Sequence, residues 1–195
     1  MQHRSTVINH ILTTHKGHTD VAIAWVYCNY NNRTTQTATN LAGSLSKQLF
    51  QRYNAGHGRV KSLYDRHKNQ VTMPSLEELR TILRSQIVKF NKVFLVFDAL
   101  DECCEIDGTL AKLVALLQYL ATYANVLVTS RILNSIERAL RGSKRLEIKA
   151  DDRDVQEYVR SRIHGSHRLQ KYLQGNPVLH AEAIVEKVSG NAKDM

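Results

Sequence analysis

The chain has 195 residues, 43% of them hydrophobic, with 27 Lys and Arg against 18 Asp and Glu for a formal net charge of +9. That length supports one compact core, or a core with a small appendage. Three cysteines, Cys28, Cys103 and Cys104, exclude a disulfide framework and leave no CxxC pair for a metal or redox centre.

The opening residues, MQHRSTVINHIL, are too polar for the apolar part of a signal peptide, and no apolar run approaches the length of a membrane span. The expectation is a cytoplasmic protein in a reducing compartment, with no membrane partner. Charge is uneven: residues 1–92 hold 13 basic against 4 acidic side chains, while residues 93–195 hold 14 of each. Such asymmetry can mark an anionic partner, but Arg52, Arg59, Lys61, Arg66, Lys68, Arg80 and Arg84 are scattered, without a nucleic-acid-reading motif. Solvated helix faces are the better account, and nucleic acid is not the expected partner. His15 and His18 lie three apart with no further ligand near them, which suits a polar loop better than a metal site.

In chain order, residues 2–14 are expected to be helical, and Val21 to Tyr30 a mostly apolar strand containing Trp25 and Tyr27. Residues 36–53 place Leu41, Leu45 and Leu49 on one helical stripe, and a short helix is expected at 59–67. Ser75 and Glu78, just after Pro74, form a capping box that opens a helix to about Phe90, with Leu76, Leu79, Ile82, Leu83 and Ile87 on its apolar face.

Val93-Phe94-Leu95-Val96-Phe97 is a run of five apolar residues suited to a strand buried on both faces of a parallel sheet. It ends in Asp98, and Asp101 and Glu102 follow on the next turn. The segment resembles a Walker B motif, whose strand-end aspartate holds the Mg²⁺ of a nucleotide triphosphate. A plain buried strand followed by an acidic turn is the alternative. Leu110, Leu113, Val114, Leu117 and Leu120 then recur at helical spacing, and Asn125-Val126-Leu127-Val128-Thr129-Ser130-Arg131 reads as a second short strand with a polar tip. Strand, crossover helix and strand put Asp98 and Arg131 on one edge of one sheet. The planar cation of Arg131 suits a phosphate, although a surface arginine at a strand end is the simpler account of that residue alone. A short helix near 133–141, a strand at 145–148 and a helical region from Asp151, broken at Gly175-Asn176-Pro177, complete the expected elements.

Several segments together resemble one family: VYCNY (26–30), LAGSLSKQL (41–49), PSLEEL (74–79), VFLVFDALDEC (93–103), NVLVTSR (125–131) and EIKADDRDVQEYVRSRI (147–163). The chain resembles the NACHT-type, signal-transducing (STAND) P-loop NTPases, specifically the nephrocystin-3-like N-terminal domain found in fungal NOD-like receptor-type proteins. The order of Ala99, Leu100, Asp101 and Glu102 after Asp98 fits that family's form of the motif. The resemblance implies an α/β fold, a parallel-sheet P-loop NTPase core of the ASCE type, with residues 1–150 as the nucleotide-binding domain and 151–195 as a helical appendage. It implies that Asp98 is the magnesium ligand, that Asp101 and Glu102 carry the water-activating carboxylate, and that Arg131 is the sensor arginine, with ATP or GTP and Mg²⁺ as cofactors.

One departure bears on activity: no GxxxxGK[ST] loop occurs in the 195 residues, and residues 5–12 resemble the middle of the helix that follows this loop in the family. The expectation is a core without its first strand and phosphate loop, a gap beside the 125–131 strand in a five-stranded sheet, and a C-terminus shorter than the family's. ATP binding by this chain itself is then expected to be weak, without turnover. Two functions are open: part of an ATP-driven signalling switch that self-associates or assembles with other NACHT-type chains, or a catalytically silent interaction module.

Overall fold

A computed structural model describes residues 6–32, 34–52, 58–148, 151–172 and 177–192. The chain divides into two compact units, Met1–Ser143 and Lys144–Met195.

The first unit is α/β. Helix α1 (Thr6–Thr14) buries Ile8 and leads to strand β1 (Val21–Tyr27). β1 stops three residues short of the expected Tyr30, which instead opens a 3-10 turn, Tyr30–Asn32. Helix α2 (Ala38–Arg52) buries Leu41, Ala42, Leu45 and Leu49, the stripe its leucine spacing dictates. Helix α3 (Gly58–Gln70) is longer than the expected 59–67 but buries only Leu63, so its apolar periodicity is weak at both ends. Helix α4 (Leu76–Ile87) begins at the expected capping box: Ser75 Oγ accepts from Glu78 N, and the Glu78 carboxylate accepts from Ser75 N at 2.8 Å. It ends three residues before Phe90.

Strand β2 (Lys92–Asp98), helix α5 (Thr109–Leu120), strand β3 (Asn125–Val128) and helix α6 (Asn134–Ala139) follow. Together they complete a three-stranded parallel sheet in the order β1-β2-β3, with Tyr27 opposite Asp98 and Phe97 opposite Val128. Central β2 places Val93, Leu95, Val96 and Phe97 in the core, as an apolar run covered on both faces requires. Parallel pairing fixes the crossover, and α5 supplies it with Leu113, Leu117 and Leu120 fully buried. Helices α2 and α4 are joined through a buried polar pair: Ser46 Oγ donates to Gln86 Oε1, and Gln86 Nε2 donates to the Ser46 carbonyl, each at 3.0 Å.

One expectation about the sheet needs correction: four strands were expected in the chain, but among the described residues the sheet has three, because residues 145–148 are not a strand. Leu146 and Ile148, the apolar half of that alternating segment, are 83% and 84% exposed. A strand without a ladder partner and without a buried face has nothing to hold it extended.

The second unit is helical: α7 (Asp152–Gly165), α8 (His167–Tyr172) and α9 (Pro177–Ala192), three helices among the described residues where two parts were expected. Asp151 caps α7 by accepting from Arg153 N at 2.8 Å. A small core of Ile163 and Val185, flanked by Val159 and Ala181, joins α7 to α9, and Arg160 makes two 2.9 Å bonds to the Glu182 carboxylate.

Candidate functional site

Because the strands are parallel, their carboxyl ends meet at one rim of the sheet, and Asp98 is the last residue of the central strand. The sequence fixes it there on both sides. Cys28 N donates to the Asp98 carbonyl at 2.9 Å, extending the β1 ladder one residue past the strand. On the other flank the Thr129 hydroxyl donates to Asp98 Oδ1 while accepting from Ala99 N. Thr129 N bonds the Phe97 carbonyl, and Leu100 N bonds the Thr129 carbonyl, both at 2.9 Å. Thr129 therefore clamps the end of β2 with backbone and side chain together.

Immediately after Asp98 the chain leaves the sheet. Ala99 adopts a left-handed conformation, φ +57° and ψ +51°, which costs a residue with a Cβ about 1–2 kcal/mol. The clamp on Ala99 N and the complete burial of Leu100 offset that cost. The resulting 3-10 turn, Leu100–Glu102, puts both acidic residues beside the rim.

Their environments differ. Asp101 Oδ1 accepts from Arg131 N at 3.1 Å and Oδ2 from Arg131 Nε at 2.5 Å, so the arginine holds the carboxylate by main chain and side chain at once. The Asp101 side chain is 5% exposed and that of Arg131 81%. Burial works against the Asp101 charge, but the bonds from Arg131 outweigh it and hold the carboxyl below its ordinary range, while the same bond raises Arg131. Among the described residues Glu102 is held through Oε2, which accepts from Tyr30 N at 3.0 Å in the turn after β1.

Beside this turn, the buried thiols of Cys28 and Cys103 touch, Sγ to Sγ, at 2.8 Å. Their mutual bond lowers the first ionisation at Cys103 and raises Cys28, with burial and the nearby Asp101 and Glu102 charges opposing ionisation at both.

The four residues singled out in the sequence, Asp98, Asp101, Glu102 and Arg131, thus lie along one rim and are linked by hydrogen bonds from Thr129, Arg131 and Tyr30. Sequence reasoning gave no role to Thr129, Tyr30 or the cysteine pair. Thr129 had a signal, a hydroxyl at the tip of the strand beside the aspartate; Cys28 and Cys103 are 75 residues apart and had none. Among the described residues, no group of three or more His, Cys, Asp or Glu is arranged to hold a metal. A metal at this rim would rely on one or two carboxylates completed by substrate oxygens and water, the way Mg²⁺ is commonly bound.

An α/β unit with an acidic turn at the carboxyl rim of a parallel sheet is the class that this geometry defines. The chain belongs to the nephrocystin 3 N-terminal family, whose family model matches residues 4–131 and so ends on Arg131 itself. No match was found among curated proteins or among solved structures.

Proposed function

We propose that this chain carries the magnesium- and water-handling side of a nucleotide-triphosphate-dependent switch domain, a P-loop NTPase of the NACHT type. The observation that supports this best is Asp98, at the carboxyl end of the central strand of a parallel sheet, where nucleotide-binding α/β folds hold their ligands. Its Oδ1 is occupied by the Thr129 hydroxyl, and among the described residues Oδ2 accepts no hydrogen bond, which fits one carboxylate ligand to Mg²⁺. When bound with ATP or GTP, that ion would neutralise charge on the phosphates.

Between the two acids, the geometry favours Glu102 as the water-activating group. Asp101 is tied through both oxygens to Arg131, and a carboxylate held below its ordinary range is a poorer base. Asp101 then acts on Arg131, orienting the cation toward the rim. In a longer protein the domain would couple nucleotide state to self-association with chains of its own type.

A second reading has one specific support: the 195 residues contain no GxxxxGK[ST], so the chain by itself suits a silent interaction module. A nucleic-acid role has less, since many basic side chains of the N-terminal half are engaged within the chain. Arg52 donates to the His18 and Val21 carbonyls, Arg66 pairs with Glu78, and Arg80 and Arg84 lie over the rings of Tyr119 and Tyr123.

Calorimetric titration with ATP, with and without Mg²⁺, tests the proposal. The expected result is weak, magnesium-dependent binding without turnover, abolished in Asp98→Ala. Binding that ignores both magnesium and the Asp98→Ala change overturns it. In a longer chain supplying a glycine-rich loop, Glu102→Gln should slow hydrolysis by about 10²-fold or more and Asp101→Asn by much less. The reverse order would transfer the role to Asp101.

A further inference from the structure

We propose that Cys28 and Cys103 form a modification site, a dithiol that a peroxide oxidises to an intramolecular disulfide across the rim of the sheet. The two sulfurs are already in contact, and the residues that carry them are independently held. Cys28 is fixed by its N–H bond to the Asp98 carbonyl, and Cys103 by its N–H bond to the Leu100 carbonyl at the end of the 3-10 turn. The facing arrangement therefore comes from two rigid backbone segments.

The chemistry balances with peroxide as the two-electron oxidant. One thiol sulfur attacks a peroxide oxygen, the O–O bond breaks, and a sulfenic acid and one water result. The second sulfur then displaces the sulfenic oxygen: the S–S bond forms, the S–O bond breaks, and a second water leaves with the remaining thiol proton. Contact between the two sulfurs makes this second step intramolecular, so it outpaces attack by a thiol of another chain. The third cysteine, Cys104, is more exposed than either, yet its sulfur is not paired with theirs.

The bond would close a loop of about 75 residues containing α2, α3, α4 and β2. It would also tie the turn carrying Asp101 and Glu102 to the end of β1, next to the Tyr30 bond that already holds Glu102. This inference stands apart from the nucleotide proposal, because its readouts are covalent mapping and thermal unfolding.

The test is treatment of the 195-residue chain in dilute solution with hydrogen peroxide, acid quench, alkylation of the remaining thiols and peptide mapping without reductant. The expected product is a Cys28–Cys103 cross-linked peptide lighter by two hydrogens, with Cys104 alkylated and full reversal by dithiothreitol. The cross-link should raise the unfolding midpoint by about 5–15 °C, and Cys28→Ala or Cys103→Ala should abolish the rise. Cys104→Ser should form the same cross-link in the same yield, which decides the matter even where the other variants fold poorly. Cross-links through Cys104, or alkylation of all three cysteines when methionine oxidation shows that the peroxide has acted, would overturn the proposal.

Discussion

The two edges of the sheet are treated in opposite ways. Along β1, helix α2 and the turn before it supply side chains that bond the outward main chain at Val21, Trp25 and Tyr27. Gln48 accepts from Trp25 N at 3.0 Å and donates to the Trp25 carbonyl at 2.7 Å, Gln36 donates to the Tyr27 carbonyl, and Arg52 reaches the Val21 carbonyl. A glutamine amide carries one acceptor and a donor group, like a peptide unit, so Gln48 stands in for a neighbouring strand. Along β3 the bonds from Asn125, Thr129 and Arg131 go inward, to β2 and the turn after it. Thr129 N and O face β2, so by strand alternation Val126 and Val128 turn their main-chain N–H and C=O outward, and no hydrogen bond from a described side chain meets them. An edge of β-propensity left in that state is a template for another chain, whereas the β1 edge is blocked.

The strongest way to break this contrast is to open the closed edge. Gln48→Leu keeps the bulk of the side chain but removes both bonds that Gln48 makes to the Trp25 main chain, and losing such bonds in a half-buried site costs about 1–3 kcal/mol. Urea unfolding of the variant should show a lower midpoint with an unchanged slope. A loss below about 0.5 kcal/mol would mean that water replaces the amide, and that the edge is closed by solvent as well as by α2.

A smaller effect is expected at the tip of β3, where Asp101 and Arg131 join the acidic turn to the strand end. The folded Asp101 carboxyl lies below its unfolded value, so its contribution is complete above the unfolded value and is lost as pH falls through the folded one. Asp101→Asn should therefore be less stable than the wild type at pH 7 by about 1 kcal/mol, discounted because Arg131 is largely exposed, and the gap should close in acid. Thermal melts at pH 7 and near pH 3 measure it. A gap independent of pH would assign the effect to packing and not to charge.

How much of this contrast the sequence carried depends on the range of the interactions. β2, α4 with its capping box, and the stripe of α2 are local patterns, and they appear where periodicity and caps require. Asp98, Asp101, Glu102 and Arg131 were legible as candidates because strand-end polarity is also local. Gln36 and Gln48 were not, since a glutamine on a helix is ordinary until the strand it faces is known. The Leu146 and Ile148 segment misled for the matching reason: alternation shows that a strand could form, but pairing and burial decide whether it does. Ala99 breaks a local rule, a Cβ residue at positive φ, and the clamp from Thr129, 30 residues away, together with the burial of Leu100, explains why it is tolerated.

The last test leaves stability nearly untouched and acts on the open edge itself. Leu127 lies in β3 with its backbone turned toward β2 and is 39% exposed, and the aliphatic stem of a lysine can cover the same neighbours while its ammonium reaches water, so Leu127→Lys should change the unfolding midpoint by no more than about 0.5 kcal/mol equivalent. A lysine on an edge strand nevertheless opposes addition of a second strand, because the incoming chain must desolvate or displace the charge. Sedimentation of the wild-type chain over a range of concentrations should reveal self-association that Leu127→Lys reduces, while Lys47→Ala, on α2 at the closed side, leaves it unchanged. Association that persists equally in both variants would locate the contact away from β3. A wild-type chain monomeric at every concentration would mean that the outward groups of Val126 and Val128 are met within the chain or by solvent, and the two edges would then differ in how they are covered and not in whether they are.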